Sequence, residues 1–447
     1  MDNLKYGSRG TDVELLQLAL TRSGYYNSPY GIDGIFGADT QNAVRRFQAA
    51  FGLAADGIVG RDTKKALLPF LLGGFATKIR SGDTFYRLAK HYGTTIAAIA
   101  AANPALNPEK LVPGTEIYIP YGFDLVPSDV RWTSKLNELV LEGLKLRYPF
   151  IGTETYGKSV MGRPLRAVSI GTGAAEAFFN ASHHANEWIT TPLVLKFAEN
   201  YLKAYINGSS IFGRDARELF AKTRLFIAPL VNPDGVDLVN GALDETTPLW
   251  QSVKRIARQY PAVPFPSGWK ANIEGTDLNL NYPAGWDTAK ETKYAQGWVS
   301  PAPRDFVGAE PLSAPESRAV FDFTADHEFR LILAYHTQGE VIYWKYLDIE
   351  PPNGYDIGRA LAAVSGYKLD EVPTESGFAG YKDWFILFYN RPGYTVEAGR
   401  GTNPLPLSQF GRIYNDNVGI MATALSAPPE SVQNRHIMHS RTFYMIT

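Results

Sequence analysis

The chain has 447 residues, 45% of them hydrophobic and 13% aromatic, which suits two to four domains with at least one large core. Its 44 basic and 45 acidic residues leave a net charge of −1 with no long single-sign block, arguing against nucleic acid or an anionic membrane as its main partner. It has no cysteine, so disulfides and thiolate metal sites are excluded and the redox compartment stays open.

The start, Met1 to Gly7, shows no apolar signal region. The longest apolar stretch, Ala66 to Ala76, is interrupted by Pro69 and two glycines, so membrane insertion is not expected. The first segment repeats itself: Asp33-Gly34-Ile35-Phe36-Gly37-Ala38-Asp39-Thr40 returns as Asp56-Gly57-Ile58-Val59-Gly60-Arg61-Asp62-Thr63. Each copy reads as a Gly-rich turn feeding a helix, with Asp39 or Asp62 near the N-cap. Val44, Phe47 and Phe51 share one helical face, and Val13, Leu16 and Leu20 line an earlier one. This predicts a small three-helix domain over residues 1–72. With Gly7-Ser8-Arg9-Gly10, Leu16-Gln17 and Phe47-Gln48, it resembles the peptidoglycan-binding domain of bacterial wall hydrolases.

Residues 76–121 predict a strand–helix–helix–strand unit. Ala76 to Arg80 reads as a strand, and Asp83 as a helix cap. Phe85, Leu88, Ala89 and Tyr92 recur at helical spacing, Ile96 and Ile99 mark a second helix, and Thr115 to Pro120 closes as a strand. Gly82-Asp83-Thr84, Ala101-Ala102-Asn103-Pro104 and Pro113-Gly114-Thr115 make the unit resemble a LysM domain. The resemblance implies binding of N-acetylglucosamine-containing glycans, in a groove flanked by Gly82-Asp83-Thr84 and Asn103-Pro104. Asp83 and Asn103 fit purely local capping roles equally well.

Gly122 to Asp129 reads as a linker. From 131 to 427, apolar runs alternate with helical patterns. Strands are expected at Arg166–Ile170, Ala177–Ala181, Arg224–Leu230, Leu331–Tyr335, Val341–Trp344 and Tyr394–Val396. Helices are expected at Lys135–Arg147, Ile189–Tyr205, Ala314–His327, Gly354–Val364 and Gln409–Ala424. The alternation predicts one α/β domain with a central mixed sheet. The polar tail 428–447, with Pro428-Pro429, is expected to be loosely docked or partly disordered.

His184 and Glu187 stand three apart at a strand-to-helix corner, and His336 ends another apolar run. Two His and one Glu with a position left open make a catalytic zinc set. Alone, the His-x-x-Glu pair fits a surface ion pair as well. The wider order of motifs decides between them: His184-x-x-Glu187-Trp188, Asn232-Pro233-Asp234-Gly235, Asp277 to Pro283, His336, Asp383-Trp384, and Thr395 to Gly399. In this order they resemble the zinc carboxypeptidase superfamily over roughly Tyr156 to Leu425. The resemblance implies one Zn2+ held by His184, Glu187 and His336, with Glu397 as the catalytic carboxylate. It places His183 in the core or behind the metal ligands.

Two positions depart from the family. Its oxyanion Arg falls on Lys270, which keeps the charge without the fork. Its Asn-Arg pair for a terminal carboxylate reads Asn279-Leu280, and Leu280 cannot form that ion pair. Tyr381 lies near the family's capping Tyr at the wrong spacing from Asp383-Trp384. Asn232 to Gly235 reads as a turn with Gly235 available for positive φ.

Two wall-binding modules before a peptidase without the terminal-carboxylate Arg resemble the γ-D-glutamyl-diamino acid endopeptidases. The resemblance implies a stem-peptide endopeptidase that cuts between γ-D-Glu and diaminopimelate or lysine, with peptidoglycan as partner and a cell-wall or spore location. The free α-carboxylate of γ-linked D-Glu calls for a cation, with Lys270 and Arg400 as candidates. A wall-tethered carboxypeptidase on ordinary peptides and a non-catalytic wall or spore-coat protein are the alternative readings.

Overall fold

A computed structural model of the protein describes residues 3–427, so the expectation for the tail 428–447 lies outside the described residues. In the first domain, α1 (Thr11–Arg22), α2 (Ala38–Ala50) and α3 (Arg61–Leu72) enclose Val13, Leu16, Leu20, Val44, Phe47 and Leu67. The internal repeat has a hydrogen-bonding cause. The buried Gln17 accepts from Gly34 N at 2.9 Å and donates to Asp33 Oδ1 at 2.7 Å. One repeat later, Gln48 accepts from Gly57 N at 2.9 Å and donates to Asp56 Oδ1 at 3.0 Å. A buried amide without partners costs about 1–3 kcal/mol, so each Gln and its Asp-Gly turn stand or fall together. Gly37 and Gly60 occupy the N-caps; Asp39 and Asp62 sit in the first helical turn, where their charge favours the helix dipole.

The second unit runs β1 (Gly74–Lys78), α4 (Phe85–Tyr92), α5 (Ile96–Ala102) and β2 (Glu116–Pro120), with the strands antiparallel. Thr84 caps α4 by accepting from Arg87 N at 3.1 Å, while Asp83 closes the preceding turn through Arg80 N at 2.7 Å. Asn103 ties α5 to β2, accepting from Tyr118 N at 2.8 Å and donating to Ile99 O at 2.7 Å.

The third unit opens with α6 (Ser134–Arg147), β3 (Gly152–Lys158), β4 (Pro164–Ile170), β5 (Ala175–Ala181) and α7 (Thr190–Asn207). A short hairpin, β6 (Ser210–Ile211) and β7 (Arg214–Asp215), leads to α8 (Ala216–Lys222) and β8 (Thr223–Ala228). Next come α9 (Pro233–Val239), α10 (Pro248–Gln259), α11 (Trp286–Ala295), α12 (Pro315–Ala325), β9 (Phe329–His336) and β10 (Val341–Tyr343). The last elements are α13 (Gly354–Ser365), β11 (Lys368–Asp370), α14 (Tyr381–Tyr389), β12 (Gly393–Glu397) and α15 (Phe410–Ser426). Eight strands form one mixed sheet in the order β11-β10-β12-β9-β5-β8-β4-β3. Its centre, β12-β9-β5-β8, is parallel. These strands are covered on both faces, so alternate side chains feed two cores. Phe179, Leu331, Leu333 and Tyr335 join one core with residues of α6, α7 and α15; Phe178, Ile332 and Ala334 join the other with Phe323 and Trp384.

The stretch expected to be a linker is packed instead. Leu125 and Val126 are buried, and their N–H groups donate to Glu199 Oε1 at 2.6 Å and Oε2 at 3.2 Å. Arg147 lies 3.8 Å from Glu199 and donates to the carbonyls of Gly73, Tyr121 and Phe123. From α1, Arg22 reaches Leu125 O at 2.7 Å, and Leu15 and Leu18 enter the same core as Phe179. Buried charges demand partners, and a fixed set of backbone groups supplies them. Among the described residues no helix is long and apolar enough to cross a membrane.

Candidate metal centre

The central parallel strands end on one edge of the sheet, where their loops open a crevice. Strand β5 leaves the sheet at Ser182, whose φ of +54° is held by hydroxyl contacts to Thr190 (3.1 Å) and Thr191 (2.7 Å). The turn delivers His184 and then a single 3₁₀ turn, Ala185–Glu187, which folds Glu187 back toward it. His336 ends β9, and Glu397 ends β12 directly beside it in the parallel register.

The three expected ligands meet, and all are buried. His184 Nδ1 lies 3.0 Å from Glu187 Oε1, His336 Nδ1 lies 2.9 Å from Glu187 Oε2, and the two Nδ1 atoms are 3.1 Å apart. Two imidazole nitrogens this close, both against one carboxylate, suit a proton or cation shared between them. The electrostatics agree. Burial works against charge on His184, yet Glu187 and Asp277 push its pKa up to about 9. Burial also disfavours ionised Glu187, but His184 and Lys270 hold it well below the usual carboxylate range. For His336, burial outweighs Glu187 and the pKa falls. A shared cation would satisfy both rings and the carboxylate at once. Among the described residues these three form the group able to hold a metal ion.

Around them stands a supporting layer that sequence reasoning missed. Asp277 Oδ1 takes His184 Nε2 at 2.9 Å, which aims Nδ1 at Glu187. The Asp277-Leu278-Asn279 motif carried that signal, without saying which side chain Asp277 would meet. Thr337 N donates to Glu187 Oε2 at 3.2 Å, and Asn403 braces Thr337 O at 2.9 Å. His183, fully buried, has Nε2 3.0 Å from the Tyr282 hydroxyl and stacks beside His336, which fits the expected place behind the ligands.

The other predicted site residues fall in different settings. Lys270 Nζ lies 3.5 Å from Glu187 Oε1, on the wall of the crevice. Glu397 is partly exposed; burial and then the Glu187 charge push its pKa up to about 8, against Lys270 and His184. Asn279 spends its carbonyl on Tyr381 N at 3.0 Å, which fixes the amide. Leu280 packs with Trp286, Ala379 and Phe378, an apolar setting. Arg400 is exposed and paired with Glu340, which also holds Arg412. Tyr381 is fully buried, its hydroxyl 2.9 Å from Thr324 Oγ1, and does not cap the crevice.

Gly235 departs from its expected role. It lies inside α9 without positive φ, and a Cβ there would meet Asn232 Oδ1 at 2.6 Å and Ala271 O at 2.8 Å. Glycine is required by close approach rather than by backbone angle. Asn232 caps that helix through Gly235 N at 3.0 Å and holds His183 O at 3.1 Å, so the motif buttresses the metal corner.

Residues 138–418 match the zinc carboxypeptidase family, residues 9–67 the putative peptidoglycan binding domain, and residues 77–120 the LysM domain. A γ-D-glutamyl-L-diamino acid endopeptidase of Lysinibacillus sphaericus is 42% identical over 288 residues, covering 64% of this chain and 70% of that protein. The spore cortex-lytic enzyme of Bacillus subtilis (strain 168) is 39% identical over 94 residues, 20% of this chain and 29% of its own. Bovine thrombin-activatable fibrinolysis inhibitor, solved with a tick carboxypeptidase inhibitor, superposes with a TM-score of 0.51 at 18% identity, over 67% of this chain and 97% of that one. That likeness establishes the fold.

Proposed function

The chain belongs to the zinc carboxypeptidase family, and from that premise we propose that this zinc metallopeptidase cuts the γ-D-glutamyl–diamino acid bond of peptidoglycan stem peptides. The observation that carries the reading is Leu280. Where a carboxypeptidase needs a cation for a terminal carboxylate, this chain presents a leucine among Trp286, Ala379 and Phe378. A buried carboxylate without a paired cation is strongly disfavoured, so a substrate that continues past the cut fits better than one that ends there. The 42% identical relative is named for the same bond.

His184, Glu187 and His336 hold the metal in this reading. Zinc bound there supplies Lewis acidity, polarising a carbonyl and making water more acidic. Glu397, level with His336 in the sheet, takes a proton from the attacking water and passes it to the leaving amine. Lys270 offers its ammonium to the negative charge that develops on the carbonyl oxygen. Asn279 and Leu280 line the leaving-group side. Arg400, drawn off by Glu340, is the weakest of the proposed substrate contacts.

Residues 1–72 and 76–121 serve as wall-binding units, the LysM unit on glycan and the first domain beside it, while 131–427 carry the chemistry. In this reading the protein works at the bacterial cell wall or in association with the spore. Mass spectrometry of muropeptides, digested with and without a zinc chelator, tests the reading. Chelator-sensitive release of fragments ending in γ-D-Glu is expected; single C-terminal residues as the main product would overturn it.

A further inference from the structure

Arg304 stands beside Lys270, and nothing in the motif pattern singled it out. The carbonyl of Pro303 accepts from both Lys270 N (2.8 Å) and Ala271 N (3.0 Å), so the 303–305 segment lies along the wall that carries Lys270. Asp305, with φ of +63°, is locked on three sides. Its N–H donates to Asp277 Oδ2 at 3.1 Å, Oδ1 takes Lys293 Nζ at 2.7 Å, and Oδ2 takes Arg304 Nε at 2.5 Å. Such strain persists only where the surroundings over-determine the backbone.

The arrangement aims Arg304. Its Nε is spent on Asp305, while its two terminal NH2 groups meet no acceptor among the described residues. The side chain is 44% exposed, so the fork is open to solvent rather than packed in the core. Burial weakens its charge, but Asp305, Asp277 and Glu187 outweigh that and hold its pKa above the ordinary value. Lys270 feels Arg304 as a like charge nearby. Two cations therefore flank the metal centre on one wall. Leu280 is apolar and Arg400 is taken by Glu340, so neither of the positions expected to meet a carboxylate competes.

We infer that Arg304 is a specificity-determining residue that grips the free α-carboxylate of the γ-linked D-glutamyl residue, while Lys270 serves the scissile carbonyl. The inference rests on the proposed γ-D-glutamyl specificity. In a γ-linked residue the α-carboxylate stands a short aliphatic arm away from the scissile carbonyl, so two neighbouring cations on one wall match two neighbouring centres of negative charge. A planar guanidinium binds a carboxylate through two parallel hydrogen bonds, which an α-carboxamide cannot accept in the same way.

The experiment compares two synthetic stem peptides, one with γ-D-Glu and one with its α-carboxamide, D-isoglutamine. Zinc-loaded full-length wild type, Arg304→Gln and Arg304→Lys are assayed on both. Wild type should prefer the free acid by roughly 10- to 100-fold in kcat/KM. Arg304→Gln should lose that preference by slowing on the acid alone, and Arg304→Lys should recover part of it. Binding of the γ-D-Glu product to zinc-loaded Glu397→Gln protein, by calorimetry, should weaken similarly when Arg304→Gln is added. Equal losses on both peptides would overturn the inference, showing that Arg304 only supports Asp305 and Asp277. A wild type indifferent to the α-carboxylate would also overturn it. Failure of wild type to cut either γ-linked peptide would instead overturn the proposed function itself.

Discussion

Arg147 and Glu199 face each other at 3.8 Å, both out of solvent, at the point where all three domains meet. Glu199 also accepts from Leu125 and Val126 and pairs with Lys196 at 3.0 Å and Lys203 at 3.2 Å. Removing one partner of such a buried set costs about 3–5 kcal/mol. Glu199→Ala should therefore lower the denaturation midpoint sharply. Cutting the chain after residue 121 should destabilise what remains, because Arg147 loses the Gly73 and Tyr121 carbonyls.

The same glutamate sets an acid limit. Burial disfavours its carboxylate, but Lys196, Lys203 and the Leu125 N–H outweigh burial and lower its pKa. A depressed folded pKa contributes stability that is present above the unfolded value, about 4.3, and lost as pH falls through the folded one. Urea midpoints should thus decline on the acid side, and Glu199→Gln should show a shallower decline than wild type. Identical acid limbs would assign the effect to other groups.

Glu316 acts in the opposite direction. It is fully buried in α12, accepting from Val160 N at 3.0 Å and Asn272 Nδ2 at 3.1 Å. Burial, against those two hydrogen bonds, pushes its pKa up to about 7. A raised folded pKa gives stability that is complete below the unfolded value and lost as pH rises through about 7. The loss should amount to about 3 kcal/mol at 1.36 kcal/mol per pKa unit. Glu316→Gln should flatten the change in melting temperature between acid and neutral pH; a parallel curve would count against this assignment.

For the metal centre, His184→Ala and His336→Ala should both lose zinc and activity. Asp277→Asn leaves the ligands in place but removes the acceptor that orients His184. Zinc affinity should drop about 10- to 100-fold, measured by competition with a chromophoric chelator. Unaltered affinity would show that Asp277 serves the loop of Asp305 alone.

Glu397→Gln should keep the fold and the zinc while turnover falls by about 10²- to 10⁴-fold, as expected for lost proton transfer. Zinc content falling in step with activity would make Glu397 a ligand instead.

The central strands were legible because both their faces are buried, which writes runs such as Leu331 to Tyr335 into the sequence. Their ends gave His184 and His336, while Glu397 came from the family resemblance. Strand β3 was not legible: Glu154 and Thr155 are exposed on an edge, and no apolar alternation marks them. Helix α14 was hidden because Trp384, Phe385 and Ile386 are all buried, leaving no polar face to set a period. Arg304 was invisible for another reason. Its partners on the crevice wall, Lys270 and Asp277, are joined to it through backbone contacts that no local spacing encodes. The packed 122–129 segment misled because Gly122 and Pro127 look like linker residues, while the side chain that holds it, Glu199, lies on a distant helix.

Leu280→Arg should raise kcat/KM on free C-terminal peptides and lower it on amidated or longer ones. Its neighbours Trp286 and Phe378 must rearrange to admit the charge. A wild type that already strongly prefers the free acid terminus would show that another cation does the work of the missing arginine.

The shared core of Leu15, Leu18 and Phe179 has a consequence for how a wall is digested. An enzyme on a loose tether sweeps a volume and cuts any bond inside it. Here the anchoring units and the metal crevice keep one offset and one orientation, as the jaws of a gauge do. If the units grip a glycan strand and the crevice takes stem peptides, as proposed, only stems at the matching distance and angle come within reach, and the digest should carry a spatial period inherited from the protein rather than from chance encounter.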